Sequence, residues 1–246
     1  MLSGGQERAA IATHADALAR EVDGHLDAPV ASCPGWDVAA LLAHLIGVHW
    51  FWTRIVDERL TERYEGERPA PPAREDLVET FRRGAHRMVS VLADADPAAP
   101  VWTWAPSNQT VGFVSRHQVQ EMVVHHADGA SAVGATVAVE PLVALDCVEE
   151  FLTYSLSSPE DPKDPRPAPL GAPLVLRATD GDGAWTLRDA PTSGLLLVEA
   201  GVEAGAPTVT ASASDLLLWL YRRIELETPG VDADLIARFR DLTYTD

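Results

Sequence analysis

Residues 116–129, RHQVQEMVVHHADG, are the stretch on which the reading of this chain turns. The spacing predicts a helix, and at about 100° per residue His117, Gln118, Glu121, His125 and Asp128 fall on one face. Val119, Met122, Val123 and His126 lie on the others. By periodicity alone a solvated polar face is the leading reading. Solvated faces, however, are usually rich in Lys, Glu and Arg, whereas this one pairs histidine with carboxylates. Glu121 and His125 stand one helical turn apart, so both can reach a single divalent metal. A Glu-xxx-His pair arises often by chance, and it gains meaning only with a third ligand from another element.

Candidates for that third ligand lie in residues 33–52, CPGWDVAALLAHLIGVHWFW. Asp37 is a good N-cap, and Val38, Leu41, Leu42, Leu45, Val48, Trp52 and Ile55 form a stripe of period 3.6. His44 and His49 both flank that stripe, and periodicity does not choose between them. A histidine beside an apolar stripe is more often a half-buried residue with a hydrogen-bond partner than a ligand. One His from here with Glu121 and His125 gives the ligand count of a catalytic zinc centre with an open position.

Around these two segments the chain divides by composition. Helical patterns are expected at residues 7–26, from 37 onward, 75–92, 111–130 and 140–156. Residues 157–173, SSPEDPKDPRPAPLGAP, hold six prolines and read as a linker or long loop. The runs PLVLRAT, AWTLRD, GLLLVEA and PTVTASA then read as strands, with TDGDG between the first two as a hairpin turn. SDLLLWLYRRI, capped by Ser214, and DADLIARFRDL read as closing helices. The expected architecture is a helical domain over 1–156, a Pro-rich linker over 157–173 and a small α+β domain over 174–246.

At 246 residues, 46% of them hydrophobic, the chain can bury a large core. The net charge is -18, which argues against nucleic-acid binding, since phosphate contacts need a basic face. One Lys against eighteen Arg reads as coding bias. Cys33 and Cys147 are isolated, with no CxxC pair or disulfide framework, as fits a reducing cytoplasm. No signal peptide and no membrane span are expected. GxSxG, GxxxxGK[ST] and a strand-borne GxGxxG are all missing. TDGDG is too short for a calcium loop. His14, His25 and His86 read as surface or edge histidines, His126 points about 100° from His125, and Cys33 reads as structural. Most of the seven tryptophans read as core, with a minority available to line a pocket near the metal.

CPGWDVAALLAHL, RHQVQEMVVHHADG, TDGDGAWTLR and ASASDLLLWLYRR, in this order, resemble the mycothiol-dependent maleylpyruvate isomerase family of actinobacteria. That family falls within the DinB/YfiT-like group of metal-binding bundles. The resemblance implies an N-terminal four-helix bundle followed by a sterol-carrier-like α+β domain. It selects His44 over His49 and gives His44, Glu121 and His125 as metal ligands. It puts Asp128 behind His125 as an orienting acceptor. It associates Arg223, with Arg222 beside it, with recognition of substrate or thiol. The implied cofactors are zinc, or another divalent metal, and mycothiol; the implied partners are that thiol and a small electrophile. Two outcomes share the chemistry, S-transfer and cis–trans isomerisation. The competing classes are a non-enzymatic metal- or ligand-binding protein and a hydrolase using zinc-bound water.

Overall fold

The structure is a computed structural model, and it describes residues 1–156, 167–191 and 196–245. It falls into two compact units, Met1–Ala138 and Val139–Asp246. The first holds four long helices: α1 (Gly4–Glu21), α2 (Val38–Asp57), α3 (Leu77–Asp94) and α4 (Val111–Ala132). The second holds α5 (Pro141–Tyr154), strands β1 (Leu174–Ala178), β2 (Ala184–Asp189), β3 (Leu196–Ala200) and β4 (Thr208–Ala211), then α6 (Ala213–Leu220) and α7 (Ala233–Asp241).

Local chemistry starts each helix. Ser3 and Gln6 form a capping box at α1, and the Asp37 and Thr110 side chains accept the Ala40 and Phe113 amides at α2 and α4. In the first unit α1 packs on α3 and α4, and α2 on α3 and α4. Leu77, Phe81, Ala85, Met88 and Leu92 make the buried stripe of α3. Gly129 lets α1 and α4 approach: a Cβ there would overlap Leu18 Cδ1 and lie 3.3 Å from Val22 Cγ1. Among the described residues α2 is the one helix long and apolar enough to cross a membrane; half of its apolar window is buried in the bundle, as befits a core helix.

The four strands are ordered β3-β2-β1-β4, with β1 antiparallel to β2 and parallel to β4. The TDGDG turn closes the first hairpin through the Ala178 amide on the Gly183 carbonyl. Asp180 accepts the Ala213 amide at the start of α6, which gives this turn a structural task.

Three expectations need correction. The composition shift predicts a boundary after residue 156, but the compact units divide at Ala138, and α5 belongs with the second. Its ring of Phe151 meets Tyr221 edge-on at 5.0 Å, and Leu156 pairs with Thr243. A Pro-rich segment marks where the chain is irregular, not which neighbour a preceding helix packs on. Ten positions of the proposed linker, 157–166, lie outside the described residues, as do Gly194 and Leu195 of the third strand-like run. Ser212, not Ser214, caps α6; the Ser214 hydroxyl instead accepts the Val139 amide at 3.0 Å. That helix stops at Leu220, before the two arginines, because Arg222 takes a left-handed backbone at φ 61°.

Candidate metal centre

Two helices of the bundle bring three ligands, two imidazoles and a carboxylate, to one point. α4 carries Glu121 and His125 one turn apart, and α2 carries His44 opposite them. His44 Nε2 lies 3.0 Å from Glu121 Oε1, and His125 Nε2 lies 3.6 Å from the same oxygen. The two imidazole rings stand 5.1 Å apart at 70°, and one ligand atom from each of the three residues falls within 4.8 Å of the others. Exposure falls inward, with the His44 side chain 35% exposed, Glu121 19% and His125 12%. The His44 side of the cluster therefore stays open, as an incoming molecule requires.

The polar face of α4 is not solvated. Gln118 and Asp128 are buried, so the leading reading from periodicity fails there. Asp128 accepts from His125 Nδ1 at 2.9 Å, which leaves Nε2 of that ring facing Glu121. Burial by itself raises the Glu121 carboxyl. The hydrogen bond from His44 and the imidazoles of His125, His117 and His44 outweigh it and hold the carboxyl down to about 2. An anionic carboxylate between two imidazoles is a donor set that fits a divalent cation and leaves further positions open.

Aromatic rings border the cluster. Trp36 packs against His44 with centroids 5.1 Å apart. His117, one turn before Glu121, stacks on Phe113 and meets Trp104 edge-on at 5.2 Å. Gln109 fastens the loop that carries Trp104, donating to the carbonyls of Thr103 and Ala105. Trp104 remains 38% exposed, an apolar edge left to solvent.

The other histidines separate clearly. His49 is fully buried and stacks on Phe81 at 5.5 Å, and neither ring nitrogen has a hydrogen-bond partner among the described residues. Burial lowers its pKa to about 4, with Glu121 opposing and His44 adding to the shift. It lies on a groove of about 470 Å³ between α2 and α3, alongside Gly84, Arg54 and Arg87. His126 turns away from His125 and bonds His14 and Glu21. His14, expected at the surface, is buried in that contact, with burial and then His126 lowering its pKa to about 4. Sequence periodicity could not show it, because its partner comes from α4.

Two residues near the cluster escape a reading of the sequence. Ser32 Oγ donates to Asp128 Oδ1 at 2.5 Å, and Cys33 Sγ to Asp128 Oδ2 at 3.7 Å. Cys33 reads as structural with no base nearby; folding puts it beside the Asp128–His125 pair, 95 positions along the chain. No spacing signal marks that approach. Arg222 and Arg223 follow α6 in the second unit. Arg222 Nη2 donates to the Arg240 carbonyl at 2.9 Å, and Arg223 Nη1 to the Tyr221 carbonyl at 2.7 Å.

Comparison with known proteins gives one family. Residues 7–130 match the mycothiol maleylpyruvate isomerase N-terminal domain, and residues 143–237 match the C-terminal domain of that isomerase. Two solved structures are similar. One is a crystal structure of the mycothiol-dependent maleylpyruvate isomerase, at TM-score 0.60 and 13% identity, covering 93% of this chain and 96% of that one. The other is a histidine-to-alanine mutant of the mycothiol-dependent maleylpyruvate isomerase, at TM-score 0.52 and 13% identity, covering 89% of this chain and 88% of that one. At that identity the likeness shows a shared fold. No curated protein sequence matches the chain.

Proposed function

We propose, from the premise that this chain belongs to the mycothiol maleylpyruvate isomerase family, that it is a thiol-dependent enzyme acting on a small electrophile. The observation that carries the reading is the convergence of His44, Glu121 and His125 on one point. These residues hold a divalent metal, for which we propose zinc. A cation held there, with positions left open, favours the deprotonated form of a thiol that reaches it and so supplies a nucleophilic sulfur near neutral pH. The thiol is mycothiol.

The residues of the chain do the rest. Glu121 contributes the negative charge that retains the cation. Asp128 accepts a hydrogen bond from His125 Nδ1–H and keeps the other ring nitrogen turned inward. Trp36, packed on His44, and the Trp104 edge give an apolar border that limits water beside the reacting groups. Arg223, with Arg222, binds a carboxylate of substrate or thiol, a role that suits the guanidinium fork. The reaction is cis–trans isomerisation of the maleylpyruvate type or S-transfer. In isomerisation the sulfur adds to a cis double bond, the new single bond rotates, and elimination returns the thiol and the trans product. In transfer the sulfur displaces a leaving group and stays on the product. The enzyme works in the reducing cytoplasm.

Calorimetric titration of mycothiol into the zinc-loaded protein tests this, beside His44→Ala and Glu121→Ala with metal content measured for each. Metal-dependent thiol binding lost in both variants is the expected result. Metal retained without thiol binding overturns it and favours a binding protein or a hydrolase using water.

A further inference from the structure

We infer that Ser32 and Cys33 are positioning residues for His125: acting through Asp128, they fix which ring nitrogen carries the proton and so aim Nε2 at Glu121 and His44. The inference rests on the metal-centre reading for its consequence, but its geometry stands on its own.

The Asp128 side chain is wholly buried. A buried carboxylate is costly unless its oxygens receive hydrogen bonds. Here three donors converge on it. Ser32 Oγ takes Oδ1 at 2.5 Å, while Cys33 Sγ at 3.7 Å and His125 Nδ1 at 2.9 Å share Oδ2. A carboxylate offers acceptors only, so all three protons point toward Asp128. The last torsion of an aspartate is otherwise a broad rotor. Donors from the loop on both oxygens fix the plane of the carboxylate and hold Oδ2 where the imidazole N–H meets it. A neutral imidazole that donates from Nδ1 keeps its lone pair on Nε2, the nitrogen 3.6 Å from Glu121.

The loop that supplies these donors is itself stiff. Val30 donates to the Trp36 carbonyl, Cys33 to the Val30 carbonyl and Trp36 to the Cys33 carbonyl, each at 2.9–3.0 Å. Gly35 permits the turn, at φ 85°. Immediately afterwards the chain packs Trp36 on His44 and enters α2, which carries His44. One short loop thus supports both histidines, although they belong to different helices.

The test uses two measurements on the full chain. Long-range 1H–15N correlations of histidine-labelled, metal-free protein report the His125 tautomer, and chelator competition reports zinc affinity. The wild type should show Nδ1–H. Ser32→Ala with Cys33→Ala should give a mixture containing Nε2–H and a zinc affinity lower by about tenfold. Ser32→Thr and Cys33→Ser, which keep the donors, should restore both readings to within about twofold. If the double variant is poorly folded, Cys33→Ala alone should still move the tautomer ratio. Retention of Nδ1–H and of wild-type zinc affinity in folded variants overturns the inference while leaving the metal centre standing. A tautomer shift as expected, in a wild type that binds no zinc, upholds the positioning role and sinks the metal-centre reading instead.

Discussion

Replacing His49 by phenylalanine should flatten the acid side of the stability profile of the first unit. His49 is fully buried with no hydrogen-bond partner among the described residues, and burial lowers its pKa from 6.5 to about 4. An unfolded chain takes up a proton on this ring below pH 6.5, whereas the folded one does not until about pH 4. Stability contributed by the neutral ring is therefore complete above pH 6.5 and is lost as pH falls toward 4. Each pH unit within that window is worth about 1.4 kcal/mol, so about 2 kcal/mol is gone by pH 5. Phenylalanine cannot titrate. It also removes two unsatisfied nitrogens, worth about 1–3 kcal/mol, against a similar cost for its larger ring. The change at pH 8 is therefore small, and the informative quantity is the difference of differences. Urea unfolding at pH 8 and pH 5, followed by tryptophan fluorescence, measures it. Trp36, Trp50, Trp52, Trp102 and Trp104 all belong to the first unit, so the signal reports that unit chiefly. His14 titrates with the same sign in both proteins and cancels. Wild type should lose about 2 kcal/mol more than the variant between the two pH values. Parallel losses would refute the argument that His49 is buried neutral.

Other perturbations probe the helices that carry the site. Gly129→Ala drives a methyl into Leu18, Val22 and Leu41, all fully buried, at a cost of about 1–3 kcal/mol that the gain of about 1 kcal/mol in helix propensity offsets only in part. Calorimetry should show a lower Tm, and an unchanged one would mean that α1 and α4 adjust freely. Thr110→Ala removes the cap that accepts the Phe113 amide and should cost about 1 kcal/mol in denaturant melts, through fraying of the first turn of α4. Glu121→Gln keeps the shape of the side chain but not its charge; zinc affinity, read by chelator competition, should fall by more than about 100-fold, and retention would place the metal elsewhere.

The sequence by itself determined the elements and the ligand candidates. Apolar residues at helical spacing marked α1 to α4, alternation and turn residues marked the strands of the second unit, and Asp37 marked the start of α2, because these signals depend on neighbours a few positions away. The Glu121–His125 pair was legible for the same reason, being one helical turn apart. The choice of His44 over His49 was not. Both flank one stripe, and resemblance to a family selected His44, which the fold then brings within 3.0 Å of Glu121 while burying His49 against Phe81. Only the tertiary structure decided that Ser32 and Cys33 serve Asp128, that His14 meets His126, and that α5 lies with the second unit. Those contacts join positions 95–112 apart in sequence or depend on which face a helix buries, and hydrophobic burial is non-directional, so local pattern carries no record of the partner that packing supplies.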